Sequence, residues 1–252
     1  MHHWFRYVSG LIILFLVSTI LISTGASAME MEESRIYTLL LKRHVAKDRV
    51  NYNGFKTDEN LLDKYLDSLS RTKISSLSEK DQFAFYINAY NAFTIKLVLT
   101  KYPGINSIKE ISGFFSNPWN QKFIVLQDKT VSLDYIEHKI LRPRFKDPRI
   151  HFAINCASKS CPPLRGEPYD GDRLDSQLDN QARQFINNKK NTFIKEDTLF
   201  ISKLFKWFED DFSDNPLIFI RHYAGIKLKQ ELDSLKGKRS INYLYYDWSL
   251  NQ

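Results

Sequence analysis

Cysteine is scarce in this 252-residue chain: there are two, Cys156 and Cys161, with four residues between them. So few cysteines exclude a disulfide-built mini-scaffold and a multi-cysteine zinc or iron–sulfur protein. Glycine and proline are also sparse, at nine and eight, which excludes collagen-like and low-complexity architectures. No internal period is visible, so no repeat solenoid is expected. The net charge is +7, yet no basic block exists, because lysines and arginines alternate with acids, as in Lys146-Asp-Pro-Arg149. That pattern is a solvated surface rather than a nucleic-acid face.

Long apolar runs are equally rare. One occurs, Leu11 to Ile22, after the short lead Met1-His-His-Trp-Phe-Arg6 and before the small-residue triplet Ala26-Ser27-Ala28. This is the layout of a secretory signal peptide over residues 1–28. The run is shorter than the ~20 residues needed to span a bilayer, so no stable membrane anchor is expected after cleavage. Residues 29–252 would form a single globular domain, periplasmic or secreted, large enough for a real core.

What is present is helical periodicity with a few hairpins. Residues 35–46 and a stripe of Leu61, Leu62, Tyr65, Leu66 and Leu69, capped by Thr57 or Asp58, predict two helices. Val50 to Phe55 reads as extended. Ser78 and Asp81 form a loose capping box for a helix reaching about Tyr102, before Pro103-Gly104. Its apolar residues surround the axis, which predicts burial on most sides. Asn88 and Asn91 interrupt that surface and must hold a backbone loop or a ligand, the loop being favoured.

Residues 104–122 look irregular. Hairpins are predicted at 123–131 and 192–201, and a helix from Leu133 to Leu141, capped by Ser132 and ended by Pro143. A strand is expected over Ile150–Asn155. Further helices are expected near 174–186, 216–223 and 227–235, with an aromatic C-terminus packing back on the body. This order predicts an α+β fold, mostly helical, with a small antiparallel sheet of hairpins around a buried central helix.

Chemistry concentrates in His151-Phe-Ala-Ile-Asn-Cys-Ala-Ser-Lys-Ser-Cys-Pro-Pro163. Cys156 stands where a strand would yield to a small-residue loop, and the amides of Ala157 and Ser158 would face an oxyanion. As a strand, the segment would put His151 about 16 Å from Cys156 and on the opposite face. The base is therefore sought elsewhere. His138 is the first candidate, with Glu137, Asn88 or Asn91 orienting it; His44 and His222 are further candidates, and His151 and Cys161 complete the possible set. The bland reading is a Cys156–Cys161 disulfide that stabilises the fold by about 2 kcal/mol. Ser158 and Ser160 show no serine-triad order, and Phe205 to Phe212 read as core aromatics.

Three stretches, Tyr86-Ile-Asn-Ala-Tyr-Asn-Ala92, Ser132-Leu-Asp-Tyr-Ile-Glu-His138 and His151 to Pro163, with the ending Tyr246-Asp-Trp-Ser-Leu-Asn251, resemble the domain-of-unknown-function 547 family. The resemblance implies one α+β domain over most of residues 29–252 and supplies no catalytic roles.

Three functions remain in play. The first is a cysteine-dependent hydrolase or acyl-transferase, papain-like or transglutaminase-like in its chemistry, acting on a peptide or amide of the cell envelope. The second is a non-catalytic extracytoplasmic binding or scaffolding domain, stapled by Cys156–Cys161, whose partner is an envelope peptide, protein or small molecule. The third is a metal-binding envelope protein using both cysteines and His151, disfavoured because the cysteine gap is wider than in zinc knuckles. No cofactor and no nucleic-acid partner are expected.

Overall fold

The computed structural model describes residues 34–112, 117–213, 215–235 and 240–252. The expected leader, residues 1–28, lies outside the described residues, as do Phe114 and Phe115. No helix among the described residues is long and apolar enough to cross a membrane.

Helix α1 (residues 34–44) leads into a minimal hairpin, β1 (Val45–Ala46) and β2 (Arg49–Val50). The extended piece expected at 50–55 is instead helix α2 (Tyr52–Thr57), because the Asn51 side chain accepts the Gly54 amide at 2.9 Å and caps a helical turn. Helix α3 (Glu59–Arg71) buries Leu62, Tyr65, Leu66 and Leu69. Asp58 sits at its N-cap without a side-chain cap bond.

Helix α4 (Glu79–Leu99) starts at the reciprocal cap the sequence signals: Ser78 Oγ accepts the Asp81 amide at 3.2 Å and donates to Asp81 Oδ2 at 2.6 Å. Apolar side chains are buried all round it, and α2, α3 and later elements pack against it. The two asparagines on this surface both hold backbone. Asn88 accepts the Tyr169 amide and donates to the Tyr169 carbonyl, both at 2.8 Å. Asn91 donates to the Ala153 carbonyl at 3.0 Å and accepts the Asn155 amide at 2.8 Å. Each amide thus spends its oxygen and its nitrogen on backbone, the loop-holding role.

The first predicted hairpin is β3 (Ile124–Leu126) with β4 (Lys129–Val131). Ser132 Oγ then caps α5 (Leu133–Tyr135) by accepting the Tyr135 amide at 3.1 Å. The helix does not stop before Pro143. It widens into a π segment, Ile136–Leu141, and continues as α6 (Arg142–Phe145). Proline lacks an amide proton and crowds the carbonyl four residues back; in the wider turn the Arg142 amide bonds Glu137 O, five residues back.

The expected strand Ile150–Asn155 is also absent, replaced by the short helix α7 (Ile150–Ala153). Asp147 Oδ1 accepts the Arg149 amide at 2.9 Å, and Pro148 occupies an early turn position where a missing amide costs nothing. Helix α8 (Leu174–Ile186) is followed by β5 (Thr192–Lys195), β6 (Thr198–Ile201), α9 (Leu204–Trp207), α10 (Pro216–Tyr223), α11 (Ile226–Ser234) and β7 (Ser240–Tyr243). β7 adds to the second hairpin in parallel with β6. The fold is mostly helical α+β, with three small sheets among the described residues.

The buried apolar residues fall into two clusters. One surrounds α4; the other gathers Phe152, Phe185, Phe205, Phe212 and Tyr246. The C-terminal tail ties back across the body, with the Val50 amide donating to Asn251 O at 2.7 Å.

Asn91→Ala would strand the buried Ala153 carbonyl and Asn155 amide. Urea unfolding should show a loss on the order of 3 kcal/mol; a loss below about 0.5 kcal/mol would mean that other contacts hold this segment.

Candidate active site

Cys156 and Cys161 are bonded to each other, with their Cα atoms 6.1 Å apart. The loop they close is braced by Asn155, whose Nδ2 donates to Pro162 O at 2.7 Å and whose Oδ1 accepts the Ala157 amide at 2.9 Å. That second bond commits an amide expected to face an oxyanion. Ala157 holds a left-handed φ of 61° beside the sulfur, a conformation that costs a residue with a Cβ of order 1 kcal/mol and is concentrated at functional sites.

Hydrogen-bond donors converge on the two sulfurs. The Tyr246 hydroxyl lies 3.2 Å from Cys156 Sγ and 3.4 Å from Cys161 Sγ, and accepts from Ser158 Oγ at 3.2 Å. Ser158 Oγ is itself 3.3 Å from Cys156 Sγ, and the Cys156 amide points at Cys161 Sγ at 2.8 Å. These are the groups that would stabilise a thiolate once the bond opened.

Cys156 opens onto a cavity of about 170 Å³ between the two apolar clusters, lined also by Cys161, Glu137, His138, His151 and Tyr90. Helical α7, unlike a strand, brings His151 and Cys156 to this one space. His151 is 2 % exposed and stacks on Phe208 with ring centroids 3.8 Å apart. Its Nε2 is 2.6 Å from Asp211 Oδ2, and Arg142 grips both oxygens of the same carboxylate at 2.6 and 3.0 Å. Burial holds the imidazole neutral by pushing its pKa down, against the pull of Asp211. Burial raises the Asp211 carboxyl, but the bonds from His151 and Arg142 outweigh it and keep the group ionised, well below the usual carboxylate range. The proton therefore sits on Nε2, and Nδ1 is a buried lone pair without a hydrogen-bond partner.

His138 is less able to act as the base. Its Nδ1 accepts from Arg142 at 3.0 Å, which leaves the proton on Nε2, 3.7 Å from Asp134. Burial lowers its pKa as well. Glu137, expected as an orienting group for His138, is buried and accepts from the Tyr90 hydroxyl at 3.2 Å. Burial raises its pKa to about 7.

His44 lies elsewhere, 2.8 Å from Asp58, and His222 lies against Tyr223. The residues the sequence did not single out are Tyr90, Asp211 and Tyr246. Asp211 belongs to an acidic run, Glu209-Asp-Asp211, and Tyr246 opens the C-terminal motif; these were the available signals. The bonded sulfurs are not thiolate ligands, and no metal-holding group of three or more His, Cys, Asp or Glu occurs among the described residues.

A carboxyl with a raised folded pKa binds its proton more tightly folded than unfolded. Glu137 therefore makes stability fall as pH rises from about 4.5 through about 7, by on the order of 3 kcal/mol for a shift of that size. Glu137→Gln should flatten that slope in urea titrations between those pH values; an unchanged slope would assign it to another group.

No curated protein and no solved structure matches this chain. Residues 74–186 match the family model DUF547, described as a protein of unknown function. The match ends before Tyr246, so the C-terminal motif that walls the cavity lies beyond it. It takes in the motifs at 86–92, 132–138 and 151–163, and over these residues the chain is similar to that family.

Proposed function

We propose that the protein is a thiol-dependent hydrolase or acyl-transferase acting on amide bonds outside the cytoplasm, with the Cys156–Cys161 disulfide as its resting form. The observation that carries this reading is the shared cavity: Cys156, the Tyr246 hydroxyl beside its sulfur, and a neutral His151 whose Nδ1 has no hydrogen-bond partner line one space. The apolar leader and the bonded cysteines support an exported location.

Reduction by an external dithiol would release Cys156. Its thiol proton would pass to His151 Nδ1, with Asp211 steadying the imidazolium that forms. The thiolate would attack the amide carbonyl, and the histidine would return the proton to the departing amine. The acyl group left on sulfur would then pass to water or a second nucleophile. His138 stays in the cavity wall, and Glu137, raised by burial to about 7, can donate to a substrate oxygen in its protonated form.

The bonded sulfurs also favour a second reading, a non-catalytic binding domain stapled at this loop. Alkylation separates the two. After reduction, or in Cys161→Ser, iodoacetamide should modify Cys156 with a pH midpoint below the ordinary thiol value of about 8.5. His151→Gln should raise that midpoint by about one unit. A midpoint at the ordinary value, indifferent to His151→Gln, would leave the staple.

A further inference from the structure

The cavity wall has a composition that the thiol chemistry does not use. Three of the chain's four tryptophans, Trp119, Trp207 and Trp248, line it. Trp248 is the hub, with ring centroids 5.5 Å from Trp119 and 5.7 Å from Trp207, and Tyr246 lies 4.6 Å from it. Trp207 is 44 % exposed, so an indole stands at the rim rather than in the core.

The charges facing this space are of one sign. Asp134 and Glu137 line it, and the two histidines that join them are held neutral by burial. Although the chain has 36 lysines and arginines, none of them lines the cavity among the described residues. Arg142 is tied to Asp211 behind His138. A lysine outside the lining shows what these rings attract: Lys109 Nζ lies 3.8 Å from the Trp248 centroid.

Indole faces carry negative potential and are the strongest cation–π partners, and aromatic walls with acidic neighbours hold ammonium groups. The volume, about 170 Å³, is below the roughly 300 Å³ at which drug-sized ligand pockets begin. It selects a compact head group, not an oligosaccharide or a folded partner. An anion would meet two carboxyls and no lining cation.

We infer that this cavity binds a small cationic group of the alkylammonium or quaternary-ammonium class, seated against Trp119, Trp207 and Trp248 with Asp134 as its counter-charge and the Glu137 carboxyl beside it. The site is the one proposed above for thiol chemistry and would supply the head group of its substrate. The inference needs the cavity, not Cys156 as nucleophile.

Binding can be read on the full-length oxidised protein without turnover. Tryptophan emission and calorimetry would follow titration with choline, tetramethylammonium, acetate and 3,3-dimethyl-1-butanol, the uncharged isostere of choline. Choline and tetramethylammonium should bind and perturb the emission, with the isostere about tenfold weaker or worse. Trp207→Ala and Asp134→Asn, both at the partly exposed rim, should each weaken choline by about five- to tenfold in calorimetry while leaving urea unfolding unchanged. Equal binding of choline and its isostere, tighter binding of acetate, or no binding of either cation at millimolar concentration would each overturn the inference. The double variant Cys156→Ser/Cys161→Ser should still bind choline. Loss of alkylation reactivity with choline binding intact would remove the nucleophile and keep the site; the reverse would do the opposite.

Discussion

A buried side-chain amide has to be hydrogen-bonded at both its oxygen and its nitrogen, and in this fold that requirement is met by a relay of asparagines. Asn91, in the middle of α4, fixes the backbone on either side of Ile154. Asn155 turns that fixed backbone into a closed loop and receives the Asn251 amide at 3.3 Å. Asn251 in turn accepts from the Tyr52 hydroxyl at 2.7 Å, returning the relay to the N-terminal helices. Central helix, cysteine loop and C-terminal tail are thus joined by groups that cannot be moved singly, because each shift would leave a polar atom unpaired in an apolar setting.

The consequence for the site is rigidity on one wall and assembly from distance on the others. The cysteine loop is set by α4 through the relay. Leu204, Phe208 and Tyr246 bring the second apolar cluster into the lining, and Asp211 bonds the lining His151 while Arg142 reaches it from the π-segment side. A cavity at such a seam is lined by elements with separate cores, so its shape depends on how the clusters meet rather than on any one helix. The His151–Asp211–Arg142 set also lies across this seam; it fixes a tautomer and joins the two halves by charge.

Local signals carried much of the fold. Ser78-x-x-Asp81, Ser132 and the hairpins at 123–131 and 192–201 were legible because each is written within a few residues. The helix Ile150–Ala153 was not legible: its β-branched and aromatic run argued for a strand, and a helix of four residues is too short to show a period. That difference mattered, since it reversed the relation of His151 to Cys156. The π segment left no sign, because no residue type demands one. Asp211 and Tyr246 stand 60 residues from His151 and 90 from Cys156. No spacing rule reaches across such separations, and a lone acid or tyrosine looks the same in a solvated loop as in a wall.

The π segment Ile136–Leu141 makes the site depend on the number of residues in a helix as well as their identity. A π turn amounts to one residue more than an α turn can accommodate. Deleting one position there would preserve nearly the whole composition and every residue discussed above. It would also return the turn to α spacing, where the ring of Pro143 crowds the carbonyl four residues back, so the helix would kink between Glu137 and Arg142. In a lineage of such proteins, this stretch would tolerate exchange of its letters far more readily than a change in its length.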